Sequence, residues 1–318
     1  MKIQESRATL WCQPTGSNRI GPSIQPSSRA LVAMVLVVVI TAGARPMAAW
    51  APAGHMVIAQ IAHERLSPTA RAEADRLIGL LADFEPRYDD FVTASTWLDA
   101  IRGAGWRSFD RWHYVDLPFN ADGIGQVSGP SADNAITAVR EAIRVLEDPA
   151  APDLSKAFML RVLIHVVGDL HQPLHCVSRY TVEQPDGDRG GGRFDLPEAD
   201  GGNLHRLWDG ALGLLPDLVA DAEGRRRVPE LVEELERSVP ETQRGDLRNL
   251  DPEAWAREGF RLATTHVYTG LTPGRPVPEV YRFKGQLVVR RRLLVAGLRL
   301  THLLEQLFGA DSDVGSQS

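Results

Sequence analysis

Cysteine is scarce in this sequence: among 318 residues only Cys12 and Cys176 carry a thiol. A disulfide framework is therefore excluded as the main source of stability. Long polar tracts, internal repeats and recognisable linkers are also missing, which excludes a disordered chain or a string of modules. What remains is 43% hydrophobic and 24% charged, ample material for one large core.

A membrane-spanning run is lacking as well. The apolar stretch from Leu31 to Ala44 covers fourteen residues, too few to cross a bilayer comfortably. Arg29 precedes it, and the small residues Ala48 and Ala49 follow it. This pattern predicts a signal peptide over residues 1–49, a mature chain starting at Trp50, and an exported, periplasmic or secreted protein with no stable membrane anchor after processing. Cys12 leaves with the leader, so the processed chain holds one thiol and no internal disulfide. Cys176 is expected to be a buried, inert side chain.

Positive charge is the third shortage. Residues 50–318 carry 30 Lys and Arg against 40 Asp and Glu, a formal charge of −10. Binding to polyanions normally rests on cationic side chains that neutralise phosphates. Any affinity for phosphate must here be local, and bound metal ions are a ready source of concentrated positive charge.

Hydrophobic spacing predicts a mainly helical chain. Helices are expected over 54–66, from Pro68 to about residue 82, around 95–102, over 134–147 with Asp133 as cap, and over 154–170 with Asp153 as cap. Residues 112–123 alternate and then turn, which suggests extended chain and loop. Six glycines between 179 and 202 mark a long surface loop with room for a short hairpin. Asn203 is placed to cap the next helix, and three more are expected over 228–237, 252–269 and 279–307. The fold class is all-α, a single mainly helical domain over 50–309 with long surface loops and a disordered tail at 310–318.

Histidine is distributed unevenly. His165, His171, His175 and His205 fall within 41 residues. His165 and Asp169 stand four apart on a predicted helix, so both side chains leave one face about a turn apart. His205 and Asp209 repeat that relation. A single pair of this kind is an ordinary helix-surface ion pair; two of them around His175 and a glycine-rich loop point to metal ligation. Imidazole and carboxylate donors without thiolates favour zinc with open positions for water, although iron accepts similar ligands and calcium would want more oxygens.

Five segments occur in order: WAPAGHMVIAQIA at 50–62, STWLDAIR at 95–102, HYVDLP at 113–118, HVVGDLHQPLH at 165–175 and NLHRLWD at 203–209. Together they resemble the zinc-dependent single-strand-specific nuclease and 3′-nucleotidase family of the mung bean nuclease type, also called the S1/P1 nucleases. The likeness spans nearly all of the predicted mature chain. It implies the helical fold shared with zinc phospholipases C and three bound Zn²⁺ ions. Asp99, His113, His165 and Asp169 would hold one ion of a close pair. Asp169 would bridge to the second, whose other ligands would be His55 and the amino and carbonyl groups of Trp50. His175, His205 and Asp209 would hold the third. Three Zn²⁺ against three carboxylates make a compact cationic patch on an acidic protein.

The same resemblance places Arg102 near the scissile phosphate, Asp116 near the nucleophile and Tyr114 as a base-stacking platform. It implies in-line attack by a zinc-bridging hydroxide on single-stranded DNA or RNA and on 3′-nucleotides, with 5′-phosphorylated products, by a monomer. His171 lies between ligands without being one, and packing or support of a ligand is its expected role. His63, His266 and His302 match no ligand position and are expected to be structural. A zinc-dependent phospholipase C and a non-catalytic periplasmic zinc-binding protein remain the alternatives. The frequent disulfides of the family are absent here, which leaves stability to the core and the metal.

Overall fold

The computed structural model describes residues 50–309, so the expected leader and tail both lie outside the described residues. Proline in the first turn opens α1 (Pro52–Arg65), in which every residue from Ala53 to Ala62 is buried. A helix covered on all sides needs no amphipathic stripe. Ser67 caps α2 (Pro68–Gly79), its hydroxyl accepting from Ala70 N–H. This helix stops short of residue 82, and the chain leaves it through turns.

Asp90 caps the short α3 (Phe91–Ala94), and α4 (Trp97–Gly103) follows after a break at Ser95 and Thr96. Both hydroxyls turn back onto backbone carbonyls, of Val92 and Thr93, which competes with a continuous helix. The segment expected to be extended begins instead with a 3₁₀ turn at Asp110–His113 and only then forms β1 (Pro118–Asn120).

Asn134, not Asp133, caps α5 (Ala135–Glu147), through a reciprocal capping box with Thr137. Asp133 is engaged elsewhere, accepting from the Trp112 indole at 2.8 Å. Next comes α6 (Asp153–His171), buried continuously from Leu160 to His171 and packed against α1, α2, α4 and α5. Asp153 is its first residue rather than its cap, and its carboxylate pairs with Arg76.

The short hairpin expected in the glycine-rich loop is reduced to a single antiparallel bridge, Asp195 with Asn203, and the strands proper form a parallel pair. Strand β2 (Ser178–Tyr180) lies beside β1 with Pro118 opposite Ser178 and Asn120 opposite Tyr180. Val115 N–H also donates to the His175 carbonyl, so the chain after His113 is tied to the chain after His175.

Asn203 caps α7 (Leu204–Asp209) as expected. Asp221 caps α8 (Ala222–Ser238), which begins six residues earlier than its apolar pattern suggested and runs through Pro229. Then α9 (Pro252–Leu262) gives way to a π turn at Ala263–Val267. Last is α10 (Glu279–Phe308), thirty residues long and packed on α1, α2 and α6. Among the described residues no helix is long and apolar enough to cross a membrane.

Candidate metal centre

Helix α6 carries His165 and Asp169 on one face, and three neighbouring segments bring partners to it. From α1, His55 places Nε2 3.4 Å from Asp169 Oδ1. Its ring stacks on His165 with centroids 4.0 Å apart. The bare α-carbon of Gly168 makes this approach possible, because a β-carbon there would stand 2.9 Å from His55 Nδ1. The 3₁₀ turn delivers His113, whose Nδ1 lies 3.1 Å from both Asp169 Oδ2 and His165 Nε2. Helix α4 adds Asp99, 3.6 Å from His113.

The outcome is two contiguous groups with metal-ligand spacing, His55 with His165 and Asp169, and Asp99 with His113 and His165. A third group joins His175, His205 and Asp209. His175 Nε2 is 3.7 Å from Asp209 Oδ1, and His205 Nε2 is 3.4 Å from Asp209 Oδ2.

Backbone carbonyls fix which nitrogen of each ring faces inward. A carbonyl only accepts, so the ring nitrogen beside it must carry the hydrogen. His165 Nδ1 donates to Ser95 at 2.7 Å, His175 Nδ1 to His113 at 2.6 Å, and His205 Nδ1 to Gly190 at 2.8 Å. In the neutral ring each Nε2 is left with its lone pair turned toward a carboxylate. Such outer hydrogen bonds set the tautomer and raise the basicity of a metal-binding imidazole. Gln172 does the same for a carboxylate, donating from Nε2 to Asp209 Oδ1 at 2.7 Å while its Oε1 accepts from Leu174 N–H.

The donor set fits a cation on a second count. His55 Nδ1 and Nε2, Asp99 Oδ1, Asp169 Oδ1 and His175 Nε2 are buried without a hydrogen-bond partner. Leaving a buried polar atom unpaired costs about 1–3 kcal/mol, and several together at one place fit a site that binds a cation. Burial governs the protonation equilibria here. It pushes the Asp209 carboxyl up to about 8, against the pull of His205 and Gln172. It holds His55 well below the usual histidine range, helped by His165. At His165 burial works downward too, but the Asp169 and Asp99 carboxylates overcome it and raise that ring to about 9.

Trp50 is buried beside these groups. Its indole N–H donates to the Gly168 carbonyl at 3.0 Å, and Ala51 N–H donates to the Asp209 carbonyl at 2.8 Å. Tyr114, Asp116 and Arg102 line a cleft of about 510 Å³ that also reaches His113, His175 and His205. Burial, and then Asp188, push Asp116 up to about 6. Arg102 pairs with Asp110 at 3.3 Å, and Arg107 grips the same carboxylate at 2.7 Å.

The remaining histidines stand apart from the three groups. His63 pairs with Asp75, while His266 and His302 are exposed. His171 faces the other side of α6, where Nδ1 donates to the Val167 carbonyl and Nε2 accepts from Arg299. Glu258 ties Arg299 to Arg292 beneath it. Cys176 is buried against backbone carbonyls, and burial pushes its thiol up to about 12, which leaves it inert. Sequence reasoning missed Gln172, Gly168 and the three carbonyl partners. Only the glycine between Val167 and Asp169 offered a signal.

A family model described as S1/P1 nuclease matches residues 50–309. Endonuclease 2 of Arabidopsis thaliana is 24% identical over 304 residues, which cover 88% of this chain and 97% of that protein. Nuclease S1 of Aspergillus oryzae is 25% identical over 50% of this chain and 53% of its own length. Nuclease P1 of Penicillium citrinum is 28% identical over 50% of this chain and 57% of its own. With the match running from Trp50 through all three His and Asp groups, the chain belongs to the S1/P1 nuclease family, zinc-dependent, single-strand-specific hydrolases of phosphodiester bonds.

Proposed function

We propose that the mature protein begins at Trp50, is exported, and uses three Zn²⁺ to hydrolyse single-stranded DNA or RNA and 3′-nucleotides, releasing 5′-phosphorylated products as a monomer. The observation that carries this reading is the set of three imidazoles, His165, His175 and His205, each turned Nε2-inward by a backbone carbonyl toward Asp169 or Asp209. Oriented imidazoles beside buried carboxylates suit zinc, which takes nitrogen and oxygen donors and tolerates open positions.

In this assignment Asp99, His113, His165 and Asp169 would hold one ion, and His55, Asp169 and the amine and carbonyl of Trp50 would hold a second. His175, His205 and Asp209 hold the third. Zinc bound there lowers the pKa of water and neutralises charge on a phosphate. The protein's own groups do the rest. Arg102, at the rim of the cleft, stabilises charge gathering on the phosphate oxygens. Asp116 accepts and holds a proton near the reacting phosphate, a task suited to a carboxyl raised to about 6. Half-buried Tyr114 offers a flat face to an unstacked base, and any base has such a face. Duplex is a poor substrate because its bases are already stacked and paired.

The test is cleavage of single-stranded and duplex DNA of one sequence by zinc-loaded protein beginning at Trp50. Strong preference for the single strand, with 5′-phosphate ends, supports the reading. Turnover of phosphatidylcholine without cleavage of nucleic acid would replace it with the phospholipase alternative.

A further inference from the structure

The glycine-rich loop that supports His205 also carries an arginine in an unusual backbone state. Arg189 has φ 56°, in the left-handed region that β-carbon-bearing residues rarely occupy. Its neighbours explain how the state is held. A β-carbon on Gly190 would come within 2.2 Å of the Leu174 carbonyl oxygen, and one on Gly187 within 2.4 Å of Ser178 Oγ. Asp188 is buried, its carboxylate accepting from Arg179 N–H at 2.9 Å and from the Tyr268 hydroxyl at 2.7 Å. Arg193 N–H donates to the Asp188 carbonyl. The loop is pinned on both sides of residue 189, which is exposed between buried Asp188 and Gly190.

Glycine would occupy that position without strain, yet the chain spends an arginine there. The guanidinium lines the cleft that holds His175 and His205, close enough to Asp116 to lower that carboxyl. Among the described residues it makes no hydrogen bond or salt bridge, in contrast to Arg107, which is spent on Asp110. A solvated surface arginine would explain the exposure. It would not explain strained backbone kept rigid by a buried carboxylate at the mouth of a metal centre, a pattern found where function requires it.

We propose that Arg189 grips a backbone phosphate of the single strand, next to the phosphate being hydrolysed, and so sets the preference for chains over mononucleotides. The inference rests on the nuclease reading above and names a specificity determinant within it. A planar guanidinium takes two non-bridging phosphate oxygens at once, which a fixed backbone makes directional. A mononucleotide bearing only its 3′-phosphate offers nothing to this clamp.

The experiment compares wild type, Arg189→Gly and Arg189→Lys, each beginning at Trp50 and zinc-loaded, on single-stranded decathymidylate across a range of salt. Glycine removes the charge and relieves the backbone, so loss of folding does not confuse the result. The expected outcome for Arg189→Gly is a KM raised about tenfold with kcat within about twofold, zinc content unchanged, and a salt slope of log KM smaller by about 0.7, one phosphate contact. Arg189→Lys should recover most of the KM. An unchanged KM and salt slope overturns the clamp, and so does a loss confined to kcat with zinc released, which would mean the loop serves only His205. Wild type that leaves the strand uncut removes the nuclease reading and the clamp with it; wild type that cuts beside an indifferent Arg189→Gly sinks the clamp alone.

Discussion

Gly168 and the ring of His55 occupy adjoining space: a β-carbon on the glycine would stand 2.9 Å from Nδ1 and 3.2 Å from Cε1 of the imidazole. The last turn of α6 is bare at this point because α1 inserts a histidine there. Gly168→Ala is therefore expected to push His55 away from Asp169, lower zinc retention in the close pair and cut activity at least tenfold. Overpacking should cost about 1–3 kcal/mol of stability. Zinc content and thermal unfolding of the variant check both effects.

Asp169 and His171 are two residues apart and face opposite sides of α6. Asp169→Asn should abolish more activity than any other single carboxylate change, by more than about a hundredfold, since in the proposed assignment two ions would depend on it. His171→Ala should keep its zinc but lose about 2–4 kcal/mol of stability, from the cavity and from an Arg299 left short of an acceptor. Measuring zinc, turnover and urea midpoint on both proteins separates the two roles. Equal zinc loss would show the residues to be misassigned.

The network below His171 predicts acid sensitivity. Burial alone would raise Glu258, but Arg299 and Arg292 overcome it and hold the carboxyl at about 2. A folded pKa below the unfolded one gives stability that is fully present above about 4.5 and is lost as pH falls toward 2, at most about 3 kcal/mol. His171 is held well below the usual range by burial, then by Arg292 and Arg299, so it resists protonation in the fold. Its contribution is present above about 6.5 and declines as pH falls below that. Zinc-free protein should lose stability on acidification, and Glu258→Gln should diminish the part of that loss that falls below about pH 4.5. Denaturant midpoints from pH 7 to 3 provide the check.

Much of the site was legible because α-helical periodicity turns sequence spacing into direction. His165 with Asp169 and His205 with Asp209 each needed only a four-residue interval on a helix. Gln172 was illegible because it reaches Asp209 across the fold, 37 residues away in sequence. The Ser95, His113 and Gly190 carbonyls carry no side-chain signal at all. Locally, Asp133 and Asn134 are both good caps, and the choice was decided by Trp112, which claims Asp133. The parallel pairing of β1 with β2 joins segments 60 residues apart (Pro118 with Ser178), beyond the reach of local sequence pattern.

Trp50 offers a test of export processing. Its indole and the neighbouring Ala51 N–H are anchored to Gly168 and Asp209, which brings residue 50 to the metal groups. A free amine there would be able to bind metal, whereas a peptide nitrogen is a protonated amide and a poor ligand. Protein beginning Met-Trp50 should show activity reduced on the order of 10–100-fold against protein beginning at Trp50. Equal activity, with the methionine verified by mass, would remove the amine from the ligand set.

In the proposed assignment the three His and Asp groups hold three ions at once. Metal analysis of protein beginning at Trp50, purified without chelator and dialysed against zinc-free buffer, tests it most directly. The expected result is three zinc ions per chain, falling to one in Asp169→Asn with the His175, His205 and Asp209 group still loaded. One zinc or none in the wild-type protein would contradict the account.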